Sequence, residues 1–259
     1  MSFLNIKWSP DDYVETAVIA REAAEGLLAR LNWMTIKPTT ILDLGCGAGE
    51  FSKQLHASYP SAHVIALDLS TDMLMHSKTE SISYLCANSS SLPLKDQTID
   101  LIVANFLLPW QRNIEAWFKE CKRVLKPNGL LMLSALGPDT LQVGREKLGD
   151  EYFPNLIDMH DVGDALLQHG FADPVLDVDY CTLVYSNQEK LIYELTSSGM
   201  LSEHAELTLP VNEEGKWNLT YEIVFAHAFA PESRDEFSAS TSGEVRIPLS
   251  YLRRNLSAK

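Results

Sequence analysis

The sequence predicts an α/β fold in which a mostly parallel sheet of seven strands carries helices on both faces and a small lid. Short apolar strands alternate with helical patterns along the first half of the chain, which is typical of right-handed units with parallel strands. Residues 130–133 are continuously apolar, as expected of a strand buried on both faces. A glycine-rich turn after the first strand, at residues 43–49, predicts a ligand site at the edge of that sheet.

Each predicted element follows from hydrophobic spacing and from the residues at its ends. Alanines and leucines three and four positions apart predict an N-terminal helix over residues 10–31, which begins at Ser9-Pro10-Asp11. The predicted strands are 40–44, 63–67, 81–87, 101–104, 129–134, 172–185 and 219–228, and the further helices are 49–59, 70–77, 114–125, 158–169 and 187–198. We interpret 1–259 as a single domain, with 187–217 as the lid segment and 231–242 as a loose connector.

Composition and charge exclude several classes of protein. The formal net charge of -14 repels phosphates, so we expect no nucleic-acid partner. The four cysteines form no C-x-x-C pair, which favours reduced thiols over a metal site or a disulfide framework. The N-terminus lacks the apolar core of a signal peptide, and the apolar runs are too short to span a bilayer. We therefore expect a cytoplasmic protein without a membrane partner, and the sequence leaves its oligomeric state open.

The glycine-rich turn has a spacing that favours one cofactor over another. Gly45, Gly47 and Gly49 follow Asp43 in the pattern G-x-G-x-G, whereas a dinucleotide loop needs a glycine where this chain has Glu50. A carboxylate at that position repels a pyrophosphate. S-adenosylmethionine carries a sulfonium, an amino acid group and no phosphate, and Asp43 can accept a hydrogen bond from its ammonium. Taken alone, a loop with this pattern indicates an ordinary turn as readily as a cofactor site.

A second carboxylate strengthens this interpretation. Asp68 ends the second predicted strand, roughly 20 residues past the glycine loop, where an acidic residue accepts from ribose hydroxyls. Met73 and Asn88 are placed to contact adenine, although ordinary packing explains either of them equally well. The predicted cofactor-binding residues are Asp43, Gly45, Cys46, Gly47, Gly49, Asp68, Leu69, Met73, Asn88, Ser89 and Asn105.

These motifs resemble a known family. Residues 41–47 together with 66–70 resemble the class I S-adenosylmethionine-dependent methyltransferases, which have a Rossmann-like fold. A more specific resemblance is to the malonyl-[acyl-carrier protein] O-methyltransferases of biotin synthesis, and it covers roughly residues 13–230. The segments that carry this second resemblance are 91–94, 123–129, 137–141, 158–166 and 170–175.

The resemblance implies that the free carboxylate of a malonyl thioester, on acyl-carrier protein or coenzyme A, is methylated at the start of pimeloyl synthesis. It also implies that Tyr13 and Arg145 are catalytic residues that hold the carboxylate. Asn105 and Trp110 follow the fourth predicted strand at the same edge of the sheet, where we expect them to shape the pocket. A core tyrosine and a surface arginine are the plain alternatives. His160, in a Met-His-Asp run where a helix begins, is interpreted as a capping residue rather than a base.

The chain also departs from the family pattern. Residues 8–12 differ from the family's usual stretch, Asn88 replaces an aspartate, and 199–220 is shorter. Two alternatives therefore stay open. One is a related methyltransferase with another small-molecule acceptor, and the other is a cofactor-binding assembly factor related to the complex I arginine hydroxylase. The sequence shows no 2-His-1-carboxylate set for oxygen chemistry.

Overall fold

The structure, a computed structural model, describes residues 8–76, 78–202, 205 and 207–231. These residues form seven strands, and all seven belong to one sheet. In chain order the strands are β1 (Thr40–Leu44), β2 (His63–Asp68), β3 (Ser83–Cys86), β4 (Ile99–Ala104), β5 (Leu125–Leu136), β6 (Ala172–Tyr185) and β7 (Trp217–Phe229). Their order across the sheet is β3-β2-β1-β4-β5-β7-β6.

The sheet is parallel over its first five strands and antiparallel at β7. β1 pairs in parallel with β2 and β4, β2 with β3, and β4 with β5. β7 runs antiparallel between β5 and β6. The carboxyl ends of β1 to β4 therefore share one edge, and β1 lies where the chain order reverses. The mostly parallel, seven-stranded sheet that the sequence predicted is confirmed.

Helices cover both faces of this sheet. They are α1 (Pro10–Thr16), α2 (Val18–Asn32), α3 (Glu50–Ser58), α4 (Thr71–His76), α5 (Ile114–Val124), α6 (Gln142–Leu148), α7 (Met159–Gln168) and α8 (Gln188–Ser197). Neighbouring residues of β1 enter different cores, because successive side chains of a strand point to opposite faces. Ile41 packs with Leu27 of α2 on one face, and Leu42 packs with Phe118 of α5 on the other.

The N-terminal region differs from its prediction. A single helix over 10–31 was expected, but the chain forms α1 and α2 with a break at Ala17, whose ψ is 52°. The guanidinium of Arg21 donates to the carbonyl oxygens of Val14 and Glu15, which compensates α1 carbonyls that the break leaves without helical partners. The prediction of one continuous helix was therefore wrong. The hydrophobic residues keep their helical spacing across the break, and the side chain of Arg21 stabilises the break itself.

Other differences are smaller. β5 begins at Leu125 rather than at 129, and α6 was not predicted. Short 3-10 turns at Leu108–Trp110 and Asp150–Tyr152 were also missed. The predicted connector 231–242 lies outside the described residues except for Pro231.

Candidate functional site

A cavity of about 920 Å³ opens at the carboxyl edge of the parallel strands. Its glycine-loop end is lined by Gly45, Gly47, Asp68, Met73, Asn88 and Ser89. Its tyrosine end is lined by Leu183, Tyr185, Glu194, Met200 and Tyr221. Residues of α1 and of the first turn of α2 line the same cavity, so elements that are distant in sequence meet there.

The glycine loop folds back onto the end of β2. The backbone N–H groups of Gly45 and Cys46 donate to the carbonyl oxygen of Leu67 at 2.8 and 2.9 Å. Gly45 has a φ of +79°, and a Cβ there would lie 2.6 Å from the side chain of Leu107. Gly47 has a φ of +53° and donates its N–H to Asp68 Oδ2 at 2.9 Å. Glycine is therefore needed at both positions for backbone conformation, and at the first also for space.

Asp68 is held in a fixed orientation at the cavity wall. Its Oδ2 accepts from Gly47 N and its Oδ1 accepts from Ser70 N at 2.8 Å. Burial raises the pKa of this carboxyl, and the backbone N–H bonds partly oppose the shift. Each oxygen keeps a further lone pair, so the side chain can still accept hydrogen bonds from a ligand. Leu69 beside it is exposed and also lines the cavity.

Three residues of the predicted cofactor set support the loop without lining the cavity. Asp43 is buried and accepts from Ser52 Oγ at 2.5 Å. Burial raises the pKa of Asp43 to about 7, and the charge of Asp68 adds to the shift. Cys46 lies within the loop, and Gly49 is the N-cap of α3 with a φ of +72°. Direct cofactor contact by these three residues stays a prediction.

A polar cluster lies beside Met73 at the glycine-loop end. Asn88 Oδ1 accepts from the N–H of Ser90 at 2.9 Å, which forms a tight turn after β3. The hydroxyls of Ser89 and Ser90 donate to Gln111 Oε1 at 3.0 and 3.3 Å. The sequence analysis missed Gln111, because it follows a 3-10 turn rather than a strand.

Tyr13 lies directly over the glycine loop. Its Cε1 atom is 3.5 Å from the place a Cβ would take on Gly47. Burial raises the pKa of Tyr13 to about 12, and the nearby carboxylates of Asp68 and Glu50 add to the effect. The phenol is therefore protonated at neutral pH and can donate a hydrogen bond.

Two side chains in the first turn of α1 hold this helix at the cavity. Asp11 pairs with His76 of α4 at 3.4 Å, and Asp12 accepts from the hydroxyl of Tyr193 on α8 at 2.8 Å. The side-chain hydrogen bonds from Ser9 and Tyr193 lower the pKa of Asp12. α1 thus links α4, which follows β2, to α8, which lies in the lid segment 187–217.

An aromatic wall adjoins Tyr13. The ring of Trp8 meets those of Tyr13 and Trp110 edge to face, with centroids 5.5 and 5.3 Å apart. Gly199 packs against both tryptophans, since a Cβ there would lie 2.2 Å from Trp8 and 3.1 Å from Trp110. Trp110 lines the cavity as the sequence predicted, and the Trp8 contact was not foreseen.

Asn105 lines the cavity, but its polar atoms are already engaged. Its Nδ2 donates to the carbonyl oxygen of Ala20 at 2.7 Å, and its Oδ1 accepts from Ser134 Oγ at 2.6 Å. The side chain therefore ties α2 to the ends of β4 and β5. Its predicted role in cofactor binding stays a prediction.

Two residues singled out in the sequence lie outside the cavity lining. Arg145 on α6 donates to Asp150 Oδ1 at 2.7 Å and to the carbonyl oxygen of Pro138. These bonds turn the guanidinium to its own loop, and its role toward an acceptor stays a prediction. His160 is exposed, and its N–H and ring bind Asp158, the N-cap of α7. The prediction that His160 caps the helix was wrong, because Asp158 is the N-cap and its side chain accepts from the N–H of His160.

The loop at 137–141 is held by a buried carboxylate. Glu222 of β7 accepts from the N–H of Asp139 at 2.7 Å, and its backbone oxygen accepts from Thr140 Oγ1 at 3.1 Å. A Cβ on Gly137 would clash with the Glu222 side chain. These contacts fix the path of residues 137–141 between β5 and α6.

The tyrosine end comes from elements that sequence patterns did not link to a site. The hydroxyl of Tyr185 on β6 donates to Glu194 Oε2 on α8 at 2.7 Å. Tyr221 lies on β7 and is 2% exposed. The sequence predicted only that both residues lie on strands, because no motif marks either of them as part of a site.

The residues that the structure describes lack two kinds of feature. They contain no group of three or more His, Cys, Asp or Glu side chains placed to hold a metal ion. No helix among them is long and apolar enough to cross a membrane.

Comparison with known proteins identifies relatives along most of the chain. Residues 42–133 match the family model described as a methyltransferase domain. The chain is 36% identical to the malonyl-[acyl-carrier protein] O-methyltransferase of Gallionella capsiferriformans, over 86% of this chain and 88% of the relative. It is 34% identical to the enzyme of the same name from a Methylovorus species, over 86% of each chain. The resemblance indicated by the sequence motifs is confirmed.

The fold also matches solved structures. Phosphoethanolamine N-methyltransferase 2 of Haemonchus contortus, solved with phosphomonomethylethanolamine and S-adenosylhomocysteine, superposes with a TM-score of 0.59 at 17% identity. The match covers 88% of this chain and 60% of the other. At that identity it shows the shared fold, and the predicted class I methyltransferase fold is confirmed.

Proposed function

Because the chain belongs to the malonyl-[acyl-carrier protein] O-methyltransferase family, we propose that it methylates the free carboxylate of a malonyl thioester with S-adenosylmethionine as methyl donor. The observation that carries the proposal is one cavity that joins a glycine loop and a fixed carboxylate to an end lined by phenols. The methyl ester would then pass through chain elongation as an ordinary acyl group, at the start of pimeloyl and biotin synthesis.

The glycine-loop end fits S-adenosylmethionine. Asp68 can accept ribose hydroxyls with the lone pairs that its backbone bonds leave free. Asn88, Ser89 and Gln111 offer amide and hydroxyl groups for the adenine, and Met73 packs beside them. When bound, this cofactor supplies an electrophilic methyl group on a sulfonium.

The acceptor end needs little catalytic chemistry. A carboxyl group with a pKa of about 4 is ionised at neutral pH, so no general base is needed. Tyr13 keeps its proton because its pKa is raised to about 12, and it serves as a hydrogen-bond donor to the acceptor. Opposite charges of the methyl donor and the acceptor cancel in the transition state, so the aromatic wall of Trp8 and Trp110 assists by excluding water.

The proposal also includes the acyl carrier, the cellular compartment and the elements that cover the bound acceptor. Acyl-carrier protein is proposed as the natural carrier, with malonyl-coenzyme A as the poorer substrate, since both relatives are named for the carrier protein. Cys46, Cys86, Cys121 and Cys181 are free thiols, which supports a reducing compartment, the cytoplasm. α1 and the lid segment 187–217 are proposed to cover the acceptor within a single domain.

A direct assay tests this function. Labelled S-adenosylmethionine is offered with malonyl-acyl-carrier protein, malonyl-coenzyme A or acetyl-acyl-carrier protein. We expect a methyl ester from malonyl-acyl-carrier protein and none from the acetyl form, which lacks a free carboxylate. Cofactor binding without transfer to any malonyl thioester would overturn the proposal. Failure to rescue a biotin auxotroph that lacks its methyltransferase would then favour another small-molecule acceptor or an assembly role.

A further inference from the structure

Among the residues that the structure describes, three tyrosines line the cavity, and their hydroxyl groups differ in what they bind. The Tyr185 hydroxyl donates to Glu194 Oε2 at 2.7 Å. The hydroxyls of Tyr13 and Tyr221 donate to no residue in the part of the chain that the structure describes. These two phenols therefore have hydrogens available for a ligand.

Tyr221 is the more enclosed of the two. It lies on β7 opposite Cys181 of β6 and is 2% exposed. Within the described ranges, the buried polar atoms without a partner are Gln54 Oε1, His56 Nδ1 and Trp117 Nε1, and the Tyr221 hydroxyl is not among them. Its small accessible surface therefore faces the cavity. Because an unpaired hydroxyl in such surroundings is unfavourable, a ligand that accepts from it gains affinity.

The distribution of charge around the cavity also favours a phenol as the group that binds the acceptor carboxylate. Among the described residues that line the cavity, Arg112 is the one lysine or arginine, and it follows Gln111 at the glycine-loop end. Arg145 is bound to its own loop. At the tyrosine end an acceptor carboxylate must therefore be held by neutral donors. A neutral donor leaves more charge on the attacking oxygen than an ion pair does, which preserves its reactivity.

We propose that the Tyr221 hydroxyl donates a hydrogen bond to the free carboxylate of the acceptor and makes the enzyme select acceptors that carry one. This inference rests on the proposed function and names a specificity-determining residue for it. At the tyrosine end, Tyr185 gives its hydrogen to Glu194, so its oxygen can only accept from a ligand, and Tyr221 is the phenol that can donate there. Tyr13, the other phenol with an available hydrogen, lies over the glycine loop. Burial, with Tyr185 and Glu194 nearby, raises the pKa of Tyr221 and keeps the hydrogen in place.

The test compares two ligands that differ in the carboxylate alone. The full chain, saturated with S-adenosylhomocysteine, is titrated with malonyl-pantetheine or acetyl-pantetheine in a calorimeter. Tyr221→Phe is expected to weaken malonyl-pantetheine binding about 10- to 100-fold, the effect of losing a hydrogen bond to a charged group. Acetyl-pantetheine and S-adenosylhomocysteine should bind as before. Tyr180→Phe is the matched control, since that hydroxyl lies at the exposed surface and binds Asp139.

Each other outcome is decisive. Equal losses for both thioesters, or a loss of S-adenosylhomocysteine binding, would mean that the hydroxyl supports the fold, and would overturn the inference. Unchanged malonyl-pantetheine binding would overturn it as well. Wild-type chain that binds malonyl-pantetheine, yet transfers no methyl group, would contradict the proposed function while the Tyr221→Phe comparison still decides the carboxylate contact. Wild-type chain that binds no malonyl-pantetheine would overturn both.

Discussion

The two ends of the cavity are built in different ways. At the glycine-loop end, Gly45, Asp68 and Asn88 lie at or just beyond the carboxyl ends of the parallel strands β1, β2 and β3, so strand order alone places them on one edge. At the tyrosine end, Tyr185, Glu194 and Tyr221 come from two antiparallel strands and a helix. The parallel strands by themselves build the glycine-loop end. The tyrosine end forms only when β6, α8 and β7, which follow later in the chain, pack together.

The two ends also differ electrostatically. The glycine-loop end holds Asp43 and Asp68, whose pKa values burial raises. The tyrosine end presents neutral phenols beside one carboxylate, Glu194, which is already bound by Tyr185 and lies 3.5 Å from Lys190. Carboxylates suit a cationic cofactor with ribose hydroxyls, whereas phenols suit an anionic acceptor.

The largest expected effect tests the glycine-loop end. Asp68→Ala removes the proposed ribose acceptor and the partner of Gly47 N, so affinity for S-adenosylmethionine should fall about 100-fold or more. Isothermal titration measures this, with the exposed neighbour Asp72→Ala as control. Unchanged affinity would remove Asp68 from the ribose site.

A second variant should disturb the acceptor end alone. Gly199→Ala places a Cβ 2.2 Å from Trp8, so the aromatic wall must shift, and the KM for malonyl-acyl-carrier protein should rise about 10-fold. The affinity of this variant for S-adenosylmethionine should not change. Gly215→Ala is the control, because that glycine also has a positive φ but no described residue lies within 4 Å of the added Cβ. Similar effects from both variants would assign the loss to backbone strain.

A third prediction concerns pH and Asp43. Its pKa is about 7 in the folded chain, above the unfolded value of about 4, so the folded state holds a proton that the unfolded state has lost between these values. This raised pKa makes the free energy of unfolding fall as pH rises from 4 to 7, with a slope of at most about 1.4 kcal/mol per pH unit. Asp43→Asn should flatten that slope, as thermal unfolding of the cofactor-free chain at several pH values would show. Parallel profiles would contradict the raised pKa.

The smallest expected effect concerns Arg145, for which the sequence implied an acceptor role and the structure shows contacts to its own loop. Its contacts are an exposed ion pair with Asp150 and a bond to Pro138, so Arg145→Ala should lower stability by less than about 1 kcal/mol. Acceptor KM and turnover should stay near wild type. A large loss of turnover with unchanged cofactor affinity would instead restore the acceptor role that the sequence implied.

Local patterns were enough to predict much of this molecule. Short apolar runs gave the strands, and the spacing of Gly45, Gly47 and Asp68 gave the cofactor edge, because short-range backbone rules govern both. The break at Ala17 was not predictable, since it depends on how Arg21 satisfies the freed carbonyls. Gln111 was missed for a similar reason, because a 3-10 turn brings it beside Ser89.

The sequence by itself determined the sheet, the cofactor class and the family, since each is encoded in contiguous motifs. Only the tertiary structure decided which side chains line the cavity. It turned Arg145 toward Asp150 and placed Tyr221, which no motif marks, on the cavity wall. The physical reason is that side chains from β6, β7 and α8 meet through long-range packing, and burial and available hydrogen-bond partners then decide what each can bind.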